Sequence, residues 1–347
     1  MKKYIYIISL LLISCQEEIT LDLPQSQDKI IVEGSIENGF PPYVILTKNQ
    51  GYFESIDEST YNNLFIDADT VKVWYINDTG GKEIKFLEKI MGFDSLPPIY
   101  TDIEHLTNLA ATPEIPYDFS QAGRTYYLEI KWNNQIISSS TTIPVVTPLD
   151  CLWVEKSENG AKEFQYDIRA LYSDPADQNN NILVKSKRVQ HYEINREDTS
   201  SCETINYPDF SLKLIDAGSD ILINGQTFET YFPRPKDSGN PFPDGNYNAY
   251  HTEICEEDTL EFKEDIVLIK YCQIDEPSLK FWRGLVRQVG TNGNPFAEPL
   301  NLVSNINNGL GVFTGYGSVY YKVKIIENSV VKDPYTIDEG LKIIDIF

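Results

Sequence analysis

TVKVWYI (Thr70–Ile76), DTGG (Asp78–Gly81) and EIKFL (Glu83–Leu87) follow one another almost without a gap, and this stretch decides the fold. The two apolar runs are short, β-branched and aromatic, as strands on a half-buried sheet require. The glycines between them supply the positive φ that a tight hairpin demands. Lys29–Ser35, Tyr43–Thr47, Thr125–Trp132 and Gln135–Ile143 are runs of the same kind, joined by connections too short for crossover helices. Together they predict an antiparallel sandwich of immunoglobulin-like type over residues 29–146. Within it, Ala122–Tyr126 reads as the corner by which the chain enters a late strand, with Tyr126 either packed inward or an ordinary strand tyrosine.

Pro144 and Pro148 interrupt this pattern, because neither residue can donate to a β-ladder. A second, larger β-rich domain is expected over residues 147–347. Its strands are Lys162–Tyr172, Asn181–Ile194, Phe210–Leu214, Gln226–Phe232, Thr259–Gln273 and Val319–Ile326, and the polar loop Pro233–Tyr247 exceeds the usual connection length. One short amphipathic helix stands among them. Asp275 is placed to cap it, Pro277 suits its first turn, Gly290 stops it, and Leu279, Trp282, Leu285, Val286 and Val289 share one face. The fold expected is therefore mainly β.

The N-terminus carries a different signal. Lys2 and Lys3 precede an apolar run from Tyr4 to Leu12 that is too short to span a bilayer, which takes about 20 apolar residues. Leu12-Ile13-Ser14-Cys15 then reads as a lipobox, so residues 1–14 are expected to be a lipoprotein signal peptide, Cys15 the lipidated residue, and residues 15–28 a linker. Acyl chains add about 0.8 kcal/mol per buried methylene, enough for several chains to hold a protein at a membrane. Gln16-Glu17-Glu18 resembles the signal that sends such lipoproteins to the outer face of the outer membrane.

Acids outnumber Lys and Arg by 52 to 29, and removing the leader's two lysines takes the net charge to −25. Nucleic acid is thereby excluded as an expected partner, since phosphate backbones are held through Lys and Arg. Cys151, Cys202, Cys255 and Cys272 permit two disulfides in an oxidising compartment, in any of three pairings; the other reading is four free thiols. No metal or cofactor is expected. The sequence has no C-x-x-C, and His105, His191 and His251 lie far from paired ligand spacings. Asp174, Asp177, Asn179 and Asn181 gather oxygen side chains, but without EF-hand spacing or its glycine, so an Asx-rich turn is preferred to calcium.

Gly309-x-Gly311-x-x-x-Gly315 fails as a nucleotide loop, because no lysine follows and the setting is β-rich. The glycines read instead as turn or bulge positions docking on the helix, with Phe313 as a core plug. No G-x-S-x-G or H-E-x-x-H occurs.

Several spaced motifs carry a family resemblance. Leu21-Asp22-Leu23-Pro24, Ile31–Ile36, Thr142-Ile143-Pro144 and Pro148–Trp153 fall in the first half. Phe281-Trp282-Arg283, Asn294-Pro295-Phe296, Pro299, Ser304-Asn305-Ile306, Gly309–Phe313 and Gly315-Tyr316 follow in the second. Over nearly the whole mature chain the sequence resembles the domain-of-unknown-function 4249 family of bacteroidete-type lipoproteins. It departs from the pattern at Cys151, where serine is more usual, and in lacking an aromatic pair after Asn179–Asn181. The resemblance implies a surface lipoprotein often encoded beside a TonB-dependent transporter. The function expected is accordingly that of a non-enzymatic, lipid-anchored outer-membrane surface protein, an accessory or substrate-capturing partner of such a transporter. The alternatives are a surface hydrolase acting on peptide or glycan, with converging acids or a histidine in a deep pocket, and an adhesion protein with a flat surface.

Overall fold

The computed structural model describes residues 29–49, 63–90, 97–105, 117–156, 166–195, 202–206, 212–220, 224–232, 251–255, 259–290 and 301–341. The segments expected to be signal peptide and linker, with Cys15, lie outside the described residues, as does the whole Pro233–Tyr247 loop. The chain is mainly β.

The first half contributes β1 (Ile30–Glu37), β2 (Phe40–Lys48), β3 (Thr70–Ile76), β4 (Lys82–Ile90), β5 (Ile99–Thr101), β6 (Thr125–Trp132) and β7 (Gln135–Thr142). Alternation in these segments is the reason they pair: in β3, Val71 and Val73 are buried while Lys72 pairs outward with Glu129 on β6 at 2.8 Å. The expected hairpin forms, with Ile76 opposite Lys82 and Gly80 at φ 82°. Asn77 fixes the turn by accepting the N–H groups of Thr79 and Gly81 on its Oδ1.

The ladders run without interruption in the order β1-β2-β5-β4-β3-β6-β7. Facing apolar layers are present, joined through β4, whose Lys82–Leu87 stretch pairs with β3 and whose Glu88–Ile90 stretch pairs with β5. Between them lies a core that includes Val32, Val44, Val73, Leu128, Ile130 and Phe313. Tyr126 does turn inward: its hydroxyl donates to the Phe119 carbonyl at 2.7 Å and accepts the Gln121 N–H at 2.8 Å.

The second half adds β8 (Cys151–Lys156), β9 (Tyr166–Ser173), β10 (Asn181–Asn195), β11 (Cys202–Asn206), β12 (Lys213–Ser219), β13 (Thr227–Phe232), β14 (His251–Cys255), β15 (Thr259–Gln273), β16 (Leu310–Lys324) and β17 (Val330–Val331). The large sheet takes strands from both sides of the Pro144–Pro148 segment, which is itself not strand. β1 pairs in parallel with the first half of β16, from Ile31 opposite Leu310 to Glu37 opposite Tyr316. The second half of β16 then pairs antiparallel with β15, which continues through β10 to β12, making eleven strands in all.

Gly309 follows the turn at Asn308, whereas Gly311, at φ 102°, and Gly315 lie within β16. A Cβ on Gly315 would stand 2.6 Å from the Thr142 carbonyl oxygen, and one on Gly311 2.0 Å from that of Val32. Bare backbone is what lets β7 and β1 approach β16 so closely. A smaller sheet, β13-β9-β8-β17, covers the β10, β15 and β16 side of the large one, and their shared core includes Leu152, Ile168, Tyr172, Ile269, Tyr271 and Tyr321.

Helix α1 (Glu276–Gly290) packs its Leu279 and Trp282 against Leu183, Cys272, Val312 and Tyr316. Its Trp282 is a core residue whose indole N–H donates to Thr314 Oγ1 at 3.0 Å. Val289, expected on the buried stripe, is exposed near the helix end. Asp275 caps the helix through the Ser278 N–H at 3.0 Å, and its other oxygen accepts Thr141 Oγ1 at 2.7 Å and the Thr142 N–H at 3.1 Å. One side chain thus ties the helix to β7. Among the described residues no helix is long and apolar enough to cross a membrane.

Candidate functional site

The two sheets of the second half each end in a strand paired on one side only: β12 leans on β10, and β13 on β9. These two edges lie over the same end of the shared core. Their sequences do not fill the space between them, because Gly218 and Ser219 occupy the end of β12 where larger apolar residues would close the gap. What remains is a cleft of about 340 Å³, at the small end of the range for small-molecule sites.

Its walls are mainly aromatic and aliphatic: Tyr172, Phe228, Tyr231, Phe232 and Tyr271, with Leu149, Ile182, Val184 and Ile215. Asp216 and Asp220 supply acid and Ser219 and Thr230 hydroxyls, and among the described residues no Lys or Arg borders the cleft. Such a lining takes an apolar group by area burial at about 25 cal/mol per Å², and offers acceptors to a ligand's donors.

One end of the cleft rests on a buried polar network. The Asp174 carboxylate accepts the Tyr172 hydroxyl at 3.1 Å, Asn180 Nδ2 at 2.9 Å and the Gly225 N–H at 2.8 Å. Asp220 accepts the Asn180 N–H at 2.7 Å and donates its own N–H back to the Asn180 carbonyl at 3.1 Å. Gln273 Nε2 adds a bond to the Tyr172 hydroxyl at 3.2 Å. The Asp174–Asn181 stretch is thus an Asx-rich turn whose buried acid is spent on holding the loop beside β13. Among the described residues no group of three or more His, Cys, Asp or Glu is arranged around a common point.

Two polar atoms bordering the cleft are left over. Asp220 Oδ1 and the Tyr271 hydroxyl are buried and make no hydrogen bond of good geometry among the described residues, Asp220 standing beside Asp174 and the Tyr271 hydroxyl beside that of Tyr172. Burial raises the Asp220 carboxyl above its ordinary value, and the neighbouring Asp174 charge adds to that against the Asn180 N–H. The Tyr172 phenol is pushed up to about 12, first by burial. Buried polar atoms with unused capacity are uncommon in folded proteins, and here two of them share one cleft.

The residues singled out from the sequence lie elsewhere. Cys151 is a half-buried free thiol on β8, and Cys272 a buried free thiol on β15 that burial pushes up to about 11. Backbone register sets Cys202 on β11 opposite Cys255 on β14. The structure does not bring the four together at one site. The cleft itself was missed, because its aromatics sit in strands whose alternation reads equally well as plain core; the only sequence signal was the small Gly218-Ser219 pair at a strand end.

A family model described as Domain of unknown function (DUF4249) matches residues 16–321. No curated protein and no solved structure matches.

Proposed function

The chain belongs to the family described as domain of unknown function (DUF4249), and from that premise we propose that it is a lipid-anchored protein of the outer-membrane surface that captures a small, largely apolar ligand and hands it to a TonB-dependent transporter. The observation that carries the capture role is the cleft between the β12 and β13 edges, with its aromatic walls and the two unused polar atoms at its border. A ligand with an apolar body and a hydrogen-bond-donating group suits it, because Asp220 and Asp216 offer acceptors beside the aromatic walls. The anchor and the transporter are motivated by the lipobox ending at Cys15 and by the setting that the family resemblance implies.

The test is purification of the full chain from its native envelope, with mass spectrometry of the N-terminal peptide and of everything that co-purifies. Acylated Cys15, an outer-membrane barrel transporter and a small molecule released on denaturation are the expected results. A Gly218→Phe variant adds a ring at the β12 margin of the cleft, where a Cβ meets nothing within 4 Å. It should lose the small molecule while keeping the transporter. Unmodified Cys15, or a purified complex without a barrel, would overturn the reading, and turnover of a peptide or glycan would replace it with a hydrolase.

A further inference from the structure

β10 and β15 form a ladder that outruns the sheet on both sides of it. β12 pairs with β10 only over Asn181–Ser186, and β16 pairs with β15 only over Ile266–Gln273. From Gln190 opposite Asp265 to Asn195 opposite Thr259, the described ladders give the two strands only each other. Beyond that ribbon the chain resumes as β11 and β14, paired from Cys202 opposite Cys255 to Asn206 opposite His251. A two-stranded ribbon gains little from its own ladder in water, so a covalent link across it would fix its register. Directly opposed residues of an antiparallel pair have Cα atoms about 4.5 or 5.5 Å apart, and disulfides are built across about 4.4–6.8 Å.

We propose that Cys202 and Cys255 form a disulfide, and that it is the chain's single one. The other pairings fail on placement. Cys151 lies on the small sheet, whereas Cys272 is buried in the core beneath α1, with its Sγ bonded by the Ser318 hydroxyl at 3.4 Å. The step is an oxidation: the two thiols lose two protons and two electrons as the S–S bond forms. The electrons reduce the disulfide of an exported thiol–disulfide oxidoreductase to its dithiol.

The bond has a structural consequence for the cleft. Residues 203–254 become a covalently closed loop, and that loop contains both β12 and β13, the two edges between which the cleft opens. Closing it at the base restricts how far those edges part in any partly unfolded state.

The experiment is alkylation of the full chain in denaturant, without reduction, followed by peptide mapping, on protein from the envelope and on protein made reduced and then equilibrated in a glutathione redox buffer. In both, one linked peptide pair holding Cys202 and Cys255 is expected, with Cys151 and Cys272 alkylated, and reduction should lower the Tm of wild type but not of a Cys202→Ser/Cys255→Ser variant. Alkylation of both Cys202 and Cys255 in the redox-buffer sample, or a link from either to Cys15, Cys151 or Cys272, overturns the proposal whatever the cellular location. Free Cys202 and Cys255 in the envelope sample alone would overturn the export premise instead, since the second sample does not depend on it.

Discussion

Lys270 and Glu37 form an ion pair with both side chains only 4% exposed, joining β15 to β1 across the intervening β16. Glu37 also accepts the Tyr320 hydroxyl at 2.6 Å, and the Lys270 ammonium lies 4.8 Å from the Tyr316 ring centroid. Removing one member of a buried pair leaves a charge that water cannot reach, at a cost of about 3–5 kcal/mol. Against a domain stability of about 5–15 kcal/mol, that is about a fifth of the total or more.

The two single changes should not cost the same. Glu37→Gln keeps an oxygen for Tyr320 but leaves the Lys270 charge uncompensated. It also leaves Lys270 facing Lys185, whose own ammonium is already depressed to about 8 by burial and by the Lys270 charge. Lys270→Met strands the carboxylate but relieves that repulsion, so it should cost less than Glu37→Gln. The double variant removes both charges and should fall short of the summed costs by more than about 2 kcal/mol. Urea unfolding with unchanged m-values reads all three. Single costs below about 1 kcal/mol, or additivity within about 0.5 kcal/mol, would refute the claim that this pair is a desolvated, mutually dependent link between the two halves of the chain.

Asp275→Ala removes a helix cap together with two acceptor contacts to β7, and should cost about 3 kcal/mol by urea unfolding, with Asp275→Asn, which keeps the cap but only one acceptor oxygen, in between. A loss confined to about 1 kcal/mol would show that the β7 contacts contribute nothing. Lys185 gives a pH signature: its folded value of about 8 lies below its ordinary value, so the charged form is penalised below pH 8 and stability should rise as pH climbs from about 8 to the ordinary lysine range. Lys185→Met should be more stable than wild type near pH 7, with the difference closing above about pH 10 in pH-resolved urea titrations; a constant difference would refute it.

Local elements were legible in the sequence because their determinants are local. The Thr70–Leu87 hairpin needs only alternation and a glycine turn, and α1 only an acid at its cap, Pro277 in its first turn and an apolar stripe. Partner choice was not legible. Nothing in Ile31–Glu37 says that its second neighbour is a strand beginning at Leu310, because alternation selects a face and not a partner. The cleft was hidden for the same reason: it exists only because two edges from separate sheets stop over one core. Gly311 and Gly315 show the limit from another side. Read one strand at a time they are turn formers, and only the crossing of Val32 and Thr142 against them reveals close approach.

Pro144–Pro148 makes that limit concrete. Two prolines within five residues end a strand pattern, which is the mark of a linker by composition. They end it equally well where a chain must leave one ladder and cross another. Here Ile143 and Leu149 on either side are buried, and the Pro144 carbonyl oxygen would stand 2.2 Å from a Cβ on Gly317 of β16. The Thr147 N–H donates to Gln273 Oε1 at 3.3 Å and the Leu149 N–H to the Tyr321 hydroxyl at 2.8 Å. Prolines suit such a crossing because each has one fewer donor to satisfy where the strand has already ended. The segment is therefore held by β15 and β16, the strands that also carry Lys270 and the parallel partner of β1, and the same long strands that join the two halves of the chain also fix the path between them.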